Sequence, residues 1–411
     1  MSSRFDLRRG LLLAAASLFA SRLLAQGVTI GRLNGNIYGF RPASPITLID
    51  LADPATASGN LTTATVRWYM QDIPTCTAAF KILLLRRPGV VPVDPDFTVV
   101  AERGPFDSHG GYITVPLSPP VAVQPNDLIA ISQLKAGCGG TAVSHGGPAD
   151  SFMQIDAEVS GSGRLAGMHL QAGTVNVRAS ADANVLDGVI AAAGAVPGAF
   201  GSFFRTSVQL TNTDSERVQG KIVFHPAGAQ ASASDPSIPY SIDGSVTLSF
   251  PDIVAAMGVT GLGSLDIVTN GSAAPLATVR VFDDQGAAGT KGFTEEALPP
   301  GAAMRKDESL SLAIPADLVN YRVNVGVRTL DAGAELLVYT CKADGEWGHS
   351  TERKTYAANY FEQTTLASFL ETAPPVGGMA TIRVTSGNAI VYWSTTDNRT
   401  NDSSIKFAQR P

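Results

Sequence analysis

The 411-residue chain is short of charge. Asp, Glu, Lys and Arg make up 16% of it, against about 25% in an average soluble protein. The formal net charge is −6 and the isoelectric point about 5.4, which excludes a nucleic-acid binder that works through a strongly basic surface. Cysteine is scarce as well, with only Cys76, Cys138 and Cys341. No Cys-x-x-Cys pair exists, so a cysteine-built metal site is excluded. Familiar catalytic signatures are missing. There is no Gly-x-Ser-x-Gly elbow and no His-Glu-x-x-His pair, since His349-Ser350-Thr351-Glu352 has the wrong spacing. Gly286–Gly292 contains Thr290-Lys291 without the order of a phosphate-binding loop, and no dinucleotide fingerprint occurs. Beyond the N-terminus no apolar run approaches the ~20 residues that span a bilayer as a helix.

What is present is turn chemistry and apolar sequence. Glycine (41) and proline (25) are abundant, and hydrophobic residues reach 44%, too many for a disordered chain. Short apolar stretches divided by Gly and Pro predict an all-β protein. The N-terminus reads differently. Arg4, Arg8 and Arg9 precede an uncharged run from Gly10 to Ala20, and Ala25 stands before polar sequence. That order is the one expected of a signal peptide over residues 1–25. Arg8-Arg9 also permits twin-arginine export, but Leu7 and Gly10 around the pair favour the general secretory route. No cysteine near the cut offers a lipid anchor. Cleavage would remove four arginines and Asp6, leaving 26 basic against 35 acidic residues, a surface suited to solubility rather than to anionic partners. In an exported chain a disulfide can persist, and Cys76 with Cys138 is the candidate pair; Cys341 reads as a buried apolar side chain.

Strand signals divide the rest into three β-sandwich units. The first, residues 28–159, is a sandwich or jelly roll with Val66, Trp68 and Met70 on one face and a continuous apolar run at Phe80–Leu85. Ser160-Gly161-Ser162-Gly163 opens a linker over 160–173. The other units, 174–300 and 301–411, repeat one another roughly 115 residues apart. Phe204-Arg205-Thr206-Ser207-Val208 matches Tyr321-Arg322-Val323-Asn324-Val325, and Ile222-Val223-Phe224 matches Leu337-Val338-Tyr339. Ala277–Arg280 matches Ala389–Tyr392, and each copy carries a short helix, Pro251–Met257 and Thr365–Leu370. Alternation directs Phe204, Thr206, Val208 and Leu210, and Tyr321, Val323, Val325 and Val327, inward. Arg205, Gln209 and Arg322 then face water or a neighbouring unit.

The run Gly201-Ser202-Phe203-Phe204-Arg205-Thr206-Ser207-Val208-Gln209-Leu210-Thr211-Asn212, with the ending Asp397-Asn398-Arg399-Thr400-Asn401-Asp402-Ser403-Ser404, resembles tandem β-sandwich modules of large exported proteins from Acidobacteria and related bacteria. The resemblance covers about residues 185–411. It implies the fold and an exported location, and carries almost no functional content, because these modules are mostly unassigned accessory or surface domains.

Few side chains remain to carry chemistry. Two Ser-His-Gly-Gly tetrapeptides hold His109 and His145, and with Asp150 they form a candidate metal set; glycine-rich loops with solvated histidines are the plainer reading, because two histidines underspecify zinc. Asp94-Pro95-Asp96, Asp283-Asp284 and Asp397–Asp402 are oxygen-rich enough to raise a structural calcium, though none has EF-hand order and Asp and Asn serve turns equally well. No other cofactor is expected. Trp68 and Trp393 fall within strands and belong to cores. Trp347 follows the hairpin pair Asp344-Gly345, with Glu346 and His349 beside it. Such an aromatic can stack on a glycan or fold back over a sandwich edge. The functional expectation is a secreted or cell-surface, non-enzymatic binding or structural protein, with adhesion or carbohydrate recognition on its loops and an extracellular glycan or surface protein as partner. The competitors are a secreted hydrolase or lyase using the loops of His109 and His145, and a passive spacer or subunit of a surface assembly.

Overall fold

A computed structural model describes residues 28–407 except 35–36, 40–44, 56, 70–74, 88–95, 145–149, 165–168, 182–183 and 351–352. The segment read as a leader lies outside the described residues. The described residues form an all-β sandwich-type fold, with strands nearly throughout and two short α-helices.

The first sandwich pairs two seven-stranded sheets. One is centred on Gly59–Tyr69, flanked by Gly111–Val123, Gly140–Ser144 and Val177–Ser180; the other is centred on Cys76–Arg86 and Leu128–Gln133. Trp68, Phe80, Leu48, Leu61 and Ile131 are buried between them. The unbroken apolar run at Phe80–Leu85 has a simple cause. Phe80, Ile82 and Leu84 face that core, while Leu83 and Leu85 pack on the outer face with Ile49, Phe97, Leu128 and Val159. A strand buried on both faces needs no polar alternation. Cys76 and Cys138 are joined by a disulfide across Cα atoms 5.7 Å apart.

Residues 160–173 are not a linker. Ser162–Arg164 pairs with Asp96–Thr98, and His169–Ala172 pairs with Ser151–Gln154. Val177–Ser180 then inserts between Thr29–Arg32 and Gly59–Tyr69, so the first sandwich closes at Ser180 and not at Val159. Gly161, with φ +67°, and Gly173, with φ +124°, are turn residues. A Ser-Gly run has the same composition in a flexible linker and in a tight turn, and only the pairing separates them.

The second sandwich is one eight-stranded sheet folded over itself, in the order Ser237–Ile242, Val218–Pro226, Gly261–Asn270, Asn184–Pro197, Phe203–Thr211, Leu276–Asp284, Thr290–Glu296, with Thr247–Phe250 also on Phe203–Thr211. Asn184–Pro197 joins the layers, pairing with Gly261–Asn270 along most of its length and with Phe203–Phe204 at its end. The third sandwich has the same pairing map drawn with longer strands. Tyr321–Cys341 and Met379–Asp397 run antiparallel through both layers, with a register shift between Thr329 and Ala334 where they turn the corner. Each does the work of two strands in the preceding unit. The helices also correspond: Ile253–Ala256 is capped by Asp252, and Leu366–Leu370 by Thr365, whose side chain accepts from the Ser368 amide.

The pairing corrects the repeat in detail. Ile222 and Phe224 face the second core, whereas Leu336 and Val338 face the third. Ile222-Val223-Phe224 therefore corresponds to Leu336-Leu337-Val338, one residue earlier than the letters suggest. Because side chains alternate, that single slip exchanges inside for outside. Val208 pairs with Val279 as Val325 pairs with Trp393, which moves the Ala389–Tyr392 match by two residues and keeps the face.

The last two sandwiches are not separated by solvent. Val189, Ala191 and Ala192 on the outside of one meet Leu330, Phe361, Ile390 and Tyr392 on the outside of the other, and together they form a further buried cluster.

Candidate functional site: a groove at the tip of the third sandwich

The hairpin between Tyr321–Cys341 and Trp347–Ser350 is closed by Lys342–Glu346. The Gly345 amide donates to the Lys342 carbonyl, the Lys342 amide to the Glu346 carbonyl, and the Glu346 amide to Asp344 Oδ1 at 2.9 Å. Gly345 has φ +85°, which a glycine adopts without strain. Lys342 Nζ and Glu346 Oε2 lie 2.6 Å apart, both side chains more than half exposed. In water such a pair contributes little to stability and positions rather than anchors.

Pairing along this hairpin is irregular. Cys341 lies opposite Trp347 and Tyr339 opposite Ser350, so Gly348 and His349 share Thr340 as partner. This is a β-bulge, a device that re-aims side chains at a strand end. Thr340 Oγ1 accepts from the His349 amide at 2.8 Å. Trp347 is 72% exposed and stands edge-on to Tyr339, ring centres 6.2 Å apart. His349 instead joins Thr340, Lys342 and Asp344 in one wall of a groove of about 540 Å³. The opposite wall, with Thr372, Pro375 and Val376, follows the short helix Leu366–Leu370. Its loop is held by the Gly378 amide on the Pro375 carbonyl and by the Ile314 amide on the Gly378 carbonyl. Below the groove Glu371 is paired with Lys354, whose ammonium keeps the carboxyl below its usual range, with a smaller contribution from His349.

Of the three residues singled out here from sequence, His349 lines the groove. Trp347 stands beside it on the Tyr339 side. Glu346 is engaged with Lys342. The groove combines hydroxyl, imidazole, carboxylate and ammonium groups with a proline-valine wall, and the same hairpin carries the exposed Trp347 indole on its Tyr339 side. That set suits a ligand with a polar rim and an apolar face.

Of the other candidate set, His109 and Asp150 are engaged apart from one another. His109 sits exposed at the turn between Asp96–Ser108 and Gly111–Val123, with Nδ1 2.8 Å from the Gly110 carbonyl. Asp150 belongs to a different corner, where it and Asp53 accept from the Arg32 guanidinium. His145 lies outside the described residues. Among the described residues no group of three or more His, Cys, Asp or Glu side chains could hold a metal ion. Of the acidic stretches, Asp94 and Pro95 are outside the described residues. Asp283 accepts from the Phe203 amide across a strand pair and from Gln285 beside it, and Asp397 accepts from the Arg399 and Thr400 amides of its own turn.

The most heavily built ionisable group escaped the sequence reading altogether. His225 is 3% exposed and lies between two carboxylates, with Nδ1 2.6 Å from Asp235 Oδ2 and Nε2 2.9 Å from Asp266 Oδ2. Asp266 also accepts two bonds, at 2.9 and 3.1 Å, from Arg328 of the next sandwich. Arg328 is fully buried. His225, Asp266 and Arg328 sit at outward positions of strands and Asp235 in a loop, places where polar residues are ordinary. The only available signal was that neighbouring outward positions, Val189, Ala191 and Ile390, are apolar.

Fold and groove describe, among the described residues, a multi-sandwich β protein with a polar cleft at an exposed tip. No known protein family and no curated protein matches the sequence.

Proposed function

We propose that the chain is an exported, non-enzymatic binding protein whose third sandwich recognises a carbohydrate at the Trp347–His349 groove. The observation that carries this reading is the exposed indole of Trp347 on a hairpin whose next residues, Gly348 and His349, line a groove that offers hydroxyl, imidazole and carboxylate groups. A pyranose has one apolar face for an aromatic ring and a rim of hydroxyls for donors and acceptors. No core contact has to break for a ligand to dock, because Trp347 is free of the cores. A glycan array with the intact chain, followed by titration calorimetry, tests the reading. Trp347→Ala should weaken binding at least tenfold, about 1.4 kcal/mol, and His349→Ala should weaken it too, both without loss of folding. If the wild-type chain retains no glycan, or binds unchanged in both variants, the reading is wrong.

A second reading, a rigid spacer in a surface assembly, is favoured by the buried ion pairs that tie each sandwich to the next, Arg67 with Asp214 and Arg328 with Asp266.

A further inference from the structure

The contact between the second and third sandwiches contains more ionisable chemistry than a structural joint requires. Carboxylates only accept hydrogen bonds. With Asp235 on one ring nitrogen and Asp266 on the other, His225 satisfies both only as the imidazolium. The charged groups around it are Asp235 from the 227–236 loop, Asp266 from Gly261–Asn270 and, through Asp266, Arg328 from Tyr321–Cys341. With His225 charged, two positive and two negative groups balance; without its proton the cluster carries an excess buried negative charge.

The two ends of this cluster hold opposite sides of the joint. Asp235 also accepts from the Ser232 amide and hydroxyl, which orders the 227–236 loop. From that loop the Gly228 amide donates to the Phe361 carbonyl and the Ala231 amide to the Asn359 carbonyl, each at 2.8 Å, across to the third sandwich. At the other end Arg328 donates to the Thr329 carbonyl, and Thr329 Oγ1 fixes the same 357–360 segment by donating to Ala357 O and accepting from the Tyr360 amide. Glu295 adds a second sensitive group. It is 4% exposed beside Tyr392, and neither carboxyl oxygen has a hydrogen-bond partner.

We infer that this joint is a pH-responsive latch, closed while His225 carries its proton and Glu295 is neutral, and loosened as the medium becomes alkaline. Burial opposes the charge on His225, but Asp266 and Asp235 together outweigh it and raise its pKa above 6.5. The stabilisation from its charged form is therefore complete below 6.5 and is lost as pH rises through the raised value. Burial pushes Glu295 well above the ordinary carboxyl range, and the nearby Ala192 amide offsets only part of that. Its cost grows with pH, in the same direction. Asp266, held down to about 2 by Arg328 and His225 against its burial, stays ionised throughout. When His225 deprotonates, one nitrogen turns a lone pair toward a carboxylate. Asp235, which lacks the arginine that holds Asp266, gives way and releases the loop that carries Gly228 and Ala231.

Amide hydrogen exchange on the intact chain, corrected for the intrinsic pH dependence of exchange, tests this between pH 5 and 9.5. Protection of 227–231 and 357–361 should fall at least tenfold with rising pH, while 206–211 and 323–327 in the cores stay protected. His225→Gln should show low interface protection already at pH 5, with the steep rise in exchange lost. Interface protection that does not change with pH, or an unchanged profile in His225→Gln, overturns the latch. Should that variant misfold, the nitrogen-15 shifts of the wild-type His225 ring decide the matter. Both nitrogens protonated at pH 7 support it, and a neutral tautomer at pH 7 overturns it.

Discussion

At the scale of single residues, the molecule keeps a few polar side chains where water cannot reach them. Asp50 is the clearest. It is the last residue of Ile46–Asp50, fully buried, with neither carboxylate oxygen hydrogen-bonded. Burial first, then the neighbouring Asp53, push its pKa up to about 8, against the pull of Arg32 and the nearby Ala52 and Val175 amides. A carboxyl raised in the folded state favours the neutral form, so it costs nothing below about pH 4. It becomes more costly as pH climbs toward 8, by about 1.4 kcal/mol per pH unit. Asp50→Asn mimics the neutral acid. Urea unfolding of the first sandwich should find the variant increasingly more stable than the wild type between pH 4 and 8, and equal to it at pH 4. A stability difference that stays constant over this range would refute the assignment. Neither Asp50 nor His225 stood out in the sequence, because an Asp closing a strand and a His at an outward position are both ordinary.

At the scale of elements, alternation carried most of what was readable. Thr206, Val208 and Leu210, and Val323, Val325 and Val327, point inward as their spacing dictates, while at the strand ends Phe204 and Tyr321, expected inward with them, are half-buried and exposed respectively. Both helix caps fall at or beside the expected residues. The signal failed where two structures share one composition, as in the Ser-Gly run of 160–163. It also failed where letter similarity ran against period two, as at Leu337-Val338-Tyr339. Trp347 was legible because a tryptophan after Asp-Gly has no core within reach, while the bulge that re-aims His349 has no sequence mark. Gly326 shows how an outward face becomes an inner one. It lies under Tyr392 in the pairing of Tyr321–Cys341 with Met379–Asp397, and a Cβ there would overlap the phenol ring. Tyr392 is fully buried in the joint between sandwiches. Gly326→Ala should cost about 1–3 kcal/mol through overpacking, and the exchange it provokes should appear at 359–361 rather than around Trp393. If the variant unfolds the third core as readily as the joint, the close approach is not what Gly326 supplies.

At the scale of the whole molecule, the arginines buried among the described residues, Arg67, Arg178 and Arg328, stand where sandwich meets sandwich. Arg67 and Arg178 of the first reach Asp214 and Asp187 of the second, with Tyr112 adding a bond to Asp214 at 2.8 Å. Arg328 of the third returns the pattern to Asp266. Alternation predicts that such residues face outward but cannot say whether outward means water or a neighbour, which is why a chain read as three separate cores is a tied series. Arg67 and Asp214 are 4% and 2% exposed. Removing one member of a buried pair strands the other charge, at a cost of about 3–5 kcal/mol, whereas replacing both by apolar groups of similar size is often close to neutral. Arg67→Met should therefore loosen the first sandwich from the second, raising the radius of gyration in small-angle scattering while each core keeps its own unfolding transition. Asp214 still holds the 212–216 turn through the Ser215 amide, so Asp214→Asn is the gentler second change. Combined with Arg67→Met it should restore much of the compact form. If Arg67→Met leaves the scattering profile unchanged, the pair does not hold the first two sandwiches together, and the task falls to the remaining contacts, Tyr112–Asp214 and Arg178–Asp187.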